Sequence, residues 1–156
     1  DDPAVLVACV LIGDKLYCKE LIYQTGLTND VLARNMDLLG VRGNYDEIFA
    51  DSAEPKSIEE IYRKGYNIKP CEKGKGSVEY GIQKVNQFKQ FWTKDSLNCI
   101  KEQRNFRYIV DKNGKLTEKT TRKWSHGMDA RRYAVSSRIT TSRSRPKVLT
   151  SSWRMG

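Results

Sequence analysis

Apolar and polar positions divide this chain into short periodic segments separated by glycines, prolines and acidic residues. "AVLVACVLI" and "LYCKELIYQ" are rich in β formers and flank "GDK", where Gly13 and Asp14 suit a tight turn, so the chain opens with a predicted antiparallel hairpin. In "NDVLARNMDLLG", Val31, Leu32, Asn35, Met36 and Leu39 approximate one helical face, with Thr28 as the cap and Gly40 as the stop. "DEIFADSAEP" predicts a short strand ending near Asp51. The helix predicted in "PKSIEEIYRKGY" has Pro55 near its start, capping-box spacing from Ser57 to Glu60, and Gly65 at its end. "YNIKPC" is the next strand. "SVEYGIQKVNQFKQFW" carries Val78, Ile82, Val85 and Trp92 at spacings of four, three and seven, which predicts one continuous helix.

A further helix is expected over residues 96–107, followed by a hairpin in "RYIVDKNGKLTEKTTRKW" with Asn113-Gly114 in the turn. "SHGMDARRYAVSSR" is helical, and His126, Asp129 and Tyr133 share a face at spacings of three and four. Residues 138–156 are rich in Ser, Thr and Arg and have no period, so a basic, disordered tail is expected after a domain at 1–137. An antiparallel opening followed by strand and helix in alternation implies an α/β fold. Its mixed sheet has antiparallel opening strands, then parallel strands, with helices on its faces.

With 156 residues the chain is long enough for one core and too short for two substantial ones. No apolar run approaches the roughly 18 residues of a membrane span, and no leader pattern opens the chain, so neither export nor insertion is expected. Cys9, Cys18, Cys71 and Cys99 stand far apart with a single histidine in the chain, which argues against structural zinc and for reduced, buried thiols. The net charge of +9 changes the picture through its distribution. Residues 1–100 hold 13 Lys and Arg against 15 Asp and Glu, whereas residues 101–156 hold 15 against 4. Such a basic field attracts a polyanion and gains affinity from counterion release, although a solvated basic tail would account for the last residues alone.

Strand ends in a mixed sheet are where ligand sites gather, and Asp51 sits at one. Asp129 and His126, on a late helix that can pack across it, would add a second carboxylate and an imidazole. Carboxylate oxygens suit Mg²⁺ or Mn²⁺, and a phosphodiester under attack needs its developing charge neutralised. Spacing alone leaves the plainer roles open, since an aspartate after a strand also serves as turn former or cap.

"IFADSAEPKSIEEIYRKGYNIKPCEKGKGSVEYGI", with "DDPAVLVACV", "LIYQTGLTND", "LNCIKEQRNFRYIVDKNGK" and "HGMDARRYA" in the same order, resembles the nuclease part of bacteriophage terminase large subunits. The resemblance covers residues 1–137, and "DSAEP" and "HGMDARRYA" are its most specific motifs. It implies an RNase H-like fold with an auxiliary β-hairpin at about residues 106–123, and cleavage of concatemeric double-stranded DNA by two Mg²⁺ or Mn²⁺ ions. By position, Asp51 and Asp129 would be metal ligands and His126 would approach the metal or orient its water, while Glu54 would cap or position its neighbours. Lys73, Lys75, Lys112, Lys115, Arg122, Lys123, Arg131 and Arg132 would meet the DNA backbone, with little sequence readout. The implied partners are double-stranded DNA, an upstream ATPase domain of the same protein, the portal protein and the small terminase subunit, in the cytoplasm of the infected bacterial host.

Two departures from the family pattern bear on activity. The family's first catalytic aspartate belongs to a strand before the "DDPA" position, so Asp1 and Asp2 are not that residue, although a flexible terminus would let one of them substitute weakly, and the central strand of the sheet is expected to be missing. No G-x-x-x-x-G-K-S/T phosphate loop occurs, so the ATPase is absent from this chain. The alternatives are a basic module that binds DNA or portal without chemistry, or another RNase H-like nuclease such as a junction resolvase.

Overall fold

The computed structural model describes residues 2–137 together with the backbone of Leu149–Thr150. The opening hairpin forms as β1 (Ala4–Ile12) and β2 (Lys15–Gln24), turning through Gly13 in the left-handed region. Alternation along β1 sends Val5, Val7 and Cys9 into one core and Ala4 and Leu6 into another, so the strand is buried on both faces. After α1 (Asn29–Leu38), capped by Thr28 through a 3.2 Å bond from the Val31 N–H, come β3 (Glu47–Ala50), α2 (Pro55–Arg63) and β4 (Asn67–Pro70).

The capping box expected at Ser57 and Glu60 does not form. Pro55 takes the first helical position, where its missing N–H costs nothing, and this puts the N-cap at Glu54 and Ser57 inside the first turn. Ser57 Oγ and Glu60 Oε2 instead accept from Asn29 Nδ2, at 3.3 Å and 2.6 Å, and join α2 to α1.

The helix predicted from Ser77 to Trp92 ends early. α3 covers Ser77–Asn86, and Lys89–Trp92 is β5, an outer strand pairing in parallel with β2. The helical spacing of Trp92 was fortuitous. β2 offers an edge of backbone groups, and Phe91 stacks on Tyr17 of that strand with ring centroids 5.1 Å apart, so pairing outweighs local periodicity. Next come α4 (Leu97–Asn105), a hairpin of β6 (Tyr108–Val110) and β7 (Leu116–Thr120), a 3₁₀ turn at Arg122–Trp124, α5 (His126–Ser137) and β8 (Leu149–Thr150). Glu20 on β2 anchors α4 by accepting from the Cys99 N–H at 2.8 Å, while its own N–H donates to Ser96 Oγ at 2.9 Å.

The main sheet runs β4-β3-β8-β1-β2-β5. β8 lies in its middle, antiparallel to β1 and parallel to β3 through two residues. The rest of the expected tail, residues 138–148 and 151–156, lies outside the described residues. α1 and α2 cover one face, packing Leu32, Met36 and Ile61 onto Leu6 and Ile48. α5 lies on the other face with α3 and α4 beside it, and it is buried almost all round. Its fit to its neighbours is close: a Cβ on Gly127 would stand 2.5 Å from Cys99 Sγ, and one on Gly81 would stand 2.5 Å from Arg132 Cγ. All four cysteines are buried free thiols. No helix among the described residues is long and apolar enough to cross a membrane.

Candidate metal and nucleic-acid site

Three parts of the chain converge at the end of the sheet where β3 finishes and β1 begins. β3 delivers Asp51. Ile48 and Ala50 face α1 and α2, whereas Phe49 faces α5, so alternation turns the next residue toward α5. The Asp51 side chain is 1% exposed, and its Oδ1 accepts from the Ala53 N–H at 3.0 Å, which tightens the turn into α2. A buried carboxylate needs a counter-charge, and the Lys73 ammonium supplies it by pairing with the same Oδ1. Lys73 reaches in from the loop after β4, the strand parallel to β3.

α5 brings His126 and Asp129 in its first turn. The start of this helix is held by a residue that the sequence did not advertise. Glu102 on α4 is buried, and its Oε1 accepts from the N–H groups of Gly127 at 2.7 Å and Met128 at 3.3 Å, while Tyr23 donates its hydroxyl to Oε2. A carboxylate against a helix N-terminus satisfies unpaired donors and complements the helix dipole. Burial raises the Glu102 pKa above the usual carboxylate range, against these stabilising bonds. The available signal was its spacing: Glu102 lies three residues after the buried Cys99, on the same face of α4.

Asp129 pairs with Arg132 one turn on, Oδ1 to Nη2 at 3.0 Å. Burial, and then the negative charges of Asp129 and Asp51, hold the Tyr133 hydroxyl well above the ordinary phenol range. His126 faces another acid, with Nε2 3.8 Å from Asp2 Oδ1, and Asp2 also pairs with Arg122 at 2.9 Å. Asp2, Tyr23, Lys123 and His126 line an open cleft of about 540 Å³. Asp2, expected at most to substitute weakly for the family's first aspartate, stands here beside His126.

The basic residues separate into two groups. Lys75, Lys112, Lys115, Arg122 and Lys123 are exposed, the hairpin lysines beside the tight Asp111–Lys115 turn and Lys123 with its ammonium 4.9 Å from the Trp124 ring. Arg131 and Arg132 are buried, contrary to their expected place on a DNA-facing surface. α5 is the central helix of its layer, so its "ARR" segment points into the fold. The Arg131 guanidinium packs 5.0 Å from the Trp92 ring and donates to Gln103 Oε1 at 3.2 Å, whereas Arg132 holds Asp129 and lies 5.0 Å from the Tyr133 ring.

The donor set suits a hard divalent cation in kind. Such an ion is commonly held by one or two carboxylates and completes its shell with water and phosphate oxygens. Asp51 and Asp129 can supply that much. Among the described residues no three His, Cys, Asp or Glu side chains gather as a ready-made metal cage.

Residues 4–137 match the family described as the terminase RNase H-like domain. The PBSX phage terminase large subunit of Bacillus subtilis (strain 168) is 34% identical over 121 residues, a stretch covering 77% of this chain and 28% of that protein. A solved structure of the large terminase (g2p) nuclease domain from bacteriophage SPP1, with bound Mn, aligns at a TM-score of 0.64 and 21% identity, over 87% of this chain and 86% of that one. At that identity the likeness speaks for the fold, a mixed sheet flanked by helices.

Proposed function

Because the chain belongs to the terminase RNase H-like domain family, as the nuclease domain of a terminase large subunit, we propose that it cleaves concatemeric double-stranded DNA with the help of divalent metal. The observation that carries this reading is the buried carboxylate of Asp51 at a strand end, on the side of the sheet that α5 covers with Asp129 in its first turn. Asp51 and Asp129 are the residues that would hold Mg²⁺ or Mn²⁺, in a two-ion site once DNA oxygens join. The cation, when bound, supplies positive charge at the scissile phosphate and makes water a stronger nucleophile at neutral pH.

The chain's own residues do the remaining work. Glu102 fixes the first turn of α5, which sets where Asp129 and His126 stand. His126 orients water at the edge of its cleft through Nε2. Lys75, Lys112, Lys115, Arg122 and Lys123 meet phosphates and hold the duplex without reading its bases. Residues 1–137 are the nuclease domain and 138–156 a basic extension. In the whole protein we place an ATPase domain upstream, with portal and small terminase subunit as partners in the cytoplasm of the infected host.

The test is plasmid cleavage in Mn²⁺ by this chain and by a chain extended upstream through the strand that the family places before β1. Asp51→Asn and Asp129→Asn are expected to lower cutting about a hundredfold or more while sparing duplex affinity. Equal cutting by both variants and the parent would remove the assignment. A second reading, a DNA-binding module without chemistry, is favoured by one observation: Asp51 and Asp129 are each paired with a cation of the chain itself. It predicts salt-sensitive DNA binding that is indifferent to Mn²⁺.

A further inference from the structure

The ion pair at Asp51 is lopsided. The acid is 1% exposed and anchored by the Ala53 N–H, whereas the side chain of its partner Lys73 is 43% exposed. The lysine stands in residues 71–76, a loop without helix or strand that includes Gly74 and Gly76. A four-carbon stem on such a loop has an alternative place in water, and a buried carboxylate has none. Ammonium and divalent cation compete for the same oxygen, and the divalent ion brings twice the charge to a site where charge is poorly screened.

We propose that Lys73 is an exchangeable counter-ion: its ammonium holds Asp51 while no divalent cation is present, gives way when one binds, and passes to a phosphate of the DNA entering the site. This rests on the reading of Asp51 as a metal ligand and adds a coupling to it. Metal binding releases a basic side chain at the site entrance, so metal and DNA favour each other's binding, and by linkage the effect is reciprocal. In the absence of both, Lys73 lends its charge to a buried acid.

Mn²⁺ uptake by calorimetry, without DNA, in the parent, Lys73→Ala, Lys73→Arg and Asp51→Asn proteins tests the exchange. Lys73→Ala is expected to bind Mn²⁺ about three- to tenfold more tightly than the parent, the range set by a competing ion pair of modest strength. Lys73→Arg, which keeps the charge, is expected to stay near the parent, and Asp51→Asn to lose uptake. On a short duplex, Lys73→Ala is expected to leave the salt dependence of affinity unchanged without metal and to lower its slope by about one with Ca²⁺ present. Parent and Lys73→Ala binding Mn²⁺ equally would overturn the exchange and leave the metal site standing. No uptake by either would remove the metal site and the exchange together. Should Lys73→Ala fold only with metal, recovery of its circular-dichroism spectrum on adding Mn²⁺, absent when Asp51→Asn is also introduced, supports the proposal. Failure to recover overturns it.

Discussion

The two acids of the site are held in opposite ways. At Asp51 the acid is buried and its cation is half in water, on a loop from another part of the chain. At Asp129 the acid is 26% exposed, and the cation, Arg132, is 10% exposed and fixed on the same helix between Tyr133 and the Gly81 surface of α3. The first pair has a movable base and the second a movable acid. Where burial falls decides which partner is able to exchange.

The largest expected effects break this contrast directly. Lys73→Ala removes a cation from the buried Asp51 carboxylate, and Asp129→Asn removes the acid that pairs with the Arg132 guanidinium. Each is expected to cost about 2 kcal/mol, below the 3–5 typical of a fully buried pair because one partner of each is partly hydrated. The reciprocal changes, Asp51→Asn and Arg132→Met, are expected to cost less than about 1 kcal/mol, since the partner left behind can turn to water. Urea denaturation of the four variants checks the order; a reversed order in either pair would show that side-chain burial is not what governs it.

A smaller effect concerns the support beneath Asp129. Burial raises the pKa of Glu102, so its contribution to stability is full below the unfolded carboxylate value and is lost as pH rises through the higher folded value. Glu102→Gln keeps an oxygen for the Gly127 and Met128 amides and removes the titration. Its stability relative to the parent is expected to improve as pH rises above the ordinary carboxylate range, measured by urea midpoints at a series of pH values. The smallest effect is at the hairpin. Lys112→Ala and Lys115→Ala are each expected to reduce the salt slope of duplex binding by about one without altering the folded stability, which fluorescence anisotropy over a salt series reads.

Much of the fold was legible because local signals agreed with the tertiary answer. Gly13 in the first turn, Thr28 as a cap, Pro55 at a helix start and Asn113-Gly114 between β6 and β7 each have a mechanism that acts over four or five residues. β5 was hidden because Lys89–Trp92 becomes a strand only through the edge that β2 offers it. Arg131 and Arg132 were misplaced for a related reason: residue type suggests a surface, and only the packing of α3, α4 and the sheet around α5 shows that none is available there. Asp51, His126 and Asp129 were picked out by residue type and resemblance. Their partners Lys73 and Asp2 required the three-dimensional arrangement, because which charge meets which acid depends on segments brought together by strand order, whereas Arg132 stands one helical turn from Asp129 and was within reach of spacing.

β8 has a metrical consequence. It puts one strand between β3, which finishes at Ala50 just before Asp51, and β1, which begins two residues after Asp2. Neighbouring strands keep a spacing of about 4.8 Å, so the two backbones run about 10 Å apart across it. The gauge of the sheet is therefore tied by main-chain pairing at Ile48 and Ala8, a few residues back from Asp51, like rails joined by one sleeper. Losing its few rungs would leave that gauge to the two cores, where Leu6 meets Ile48 on one face and α5 spans β1 and β3 on the other.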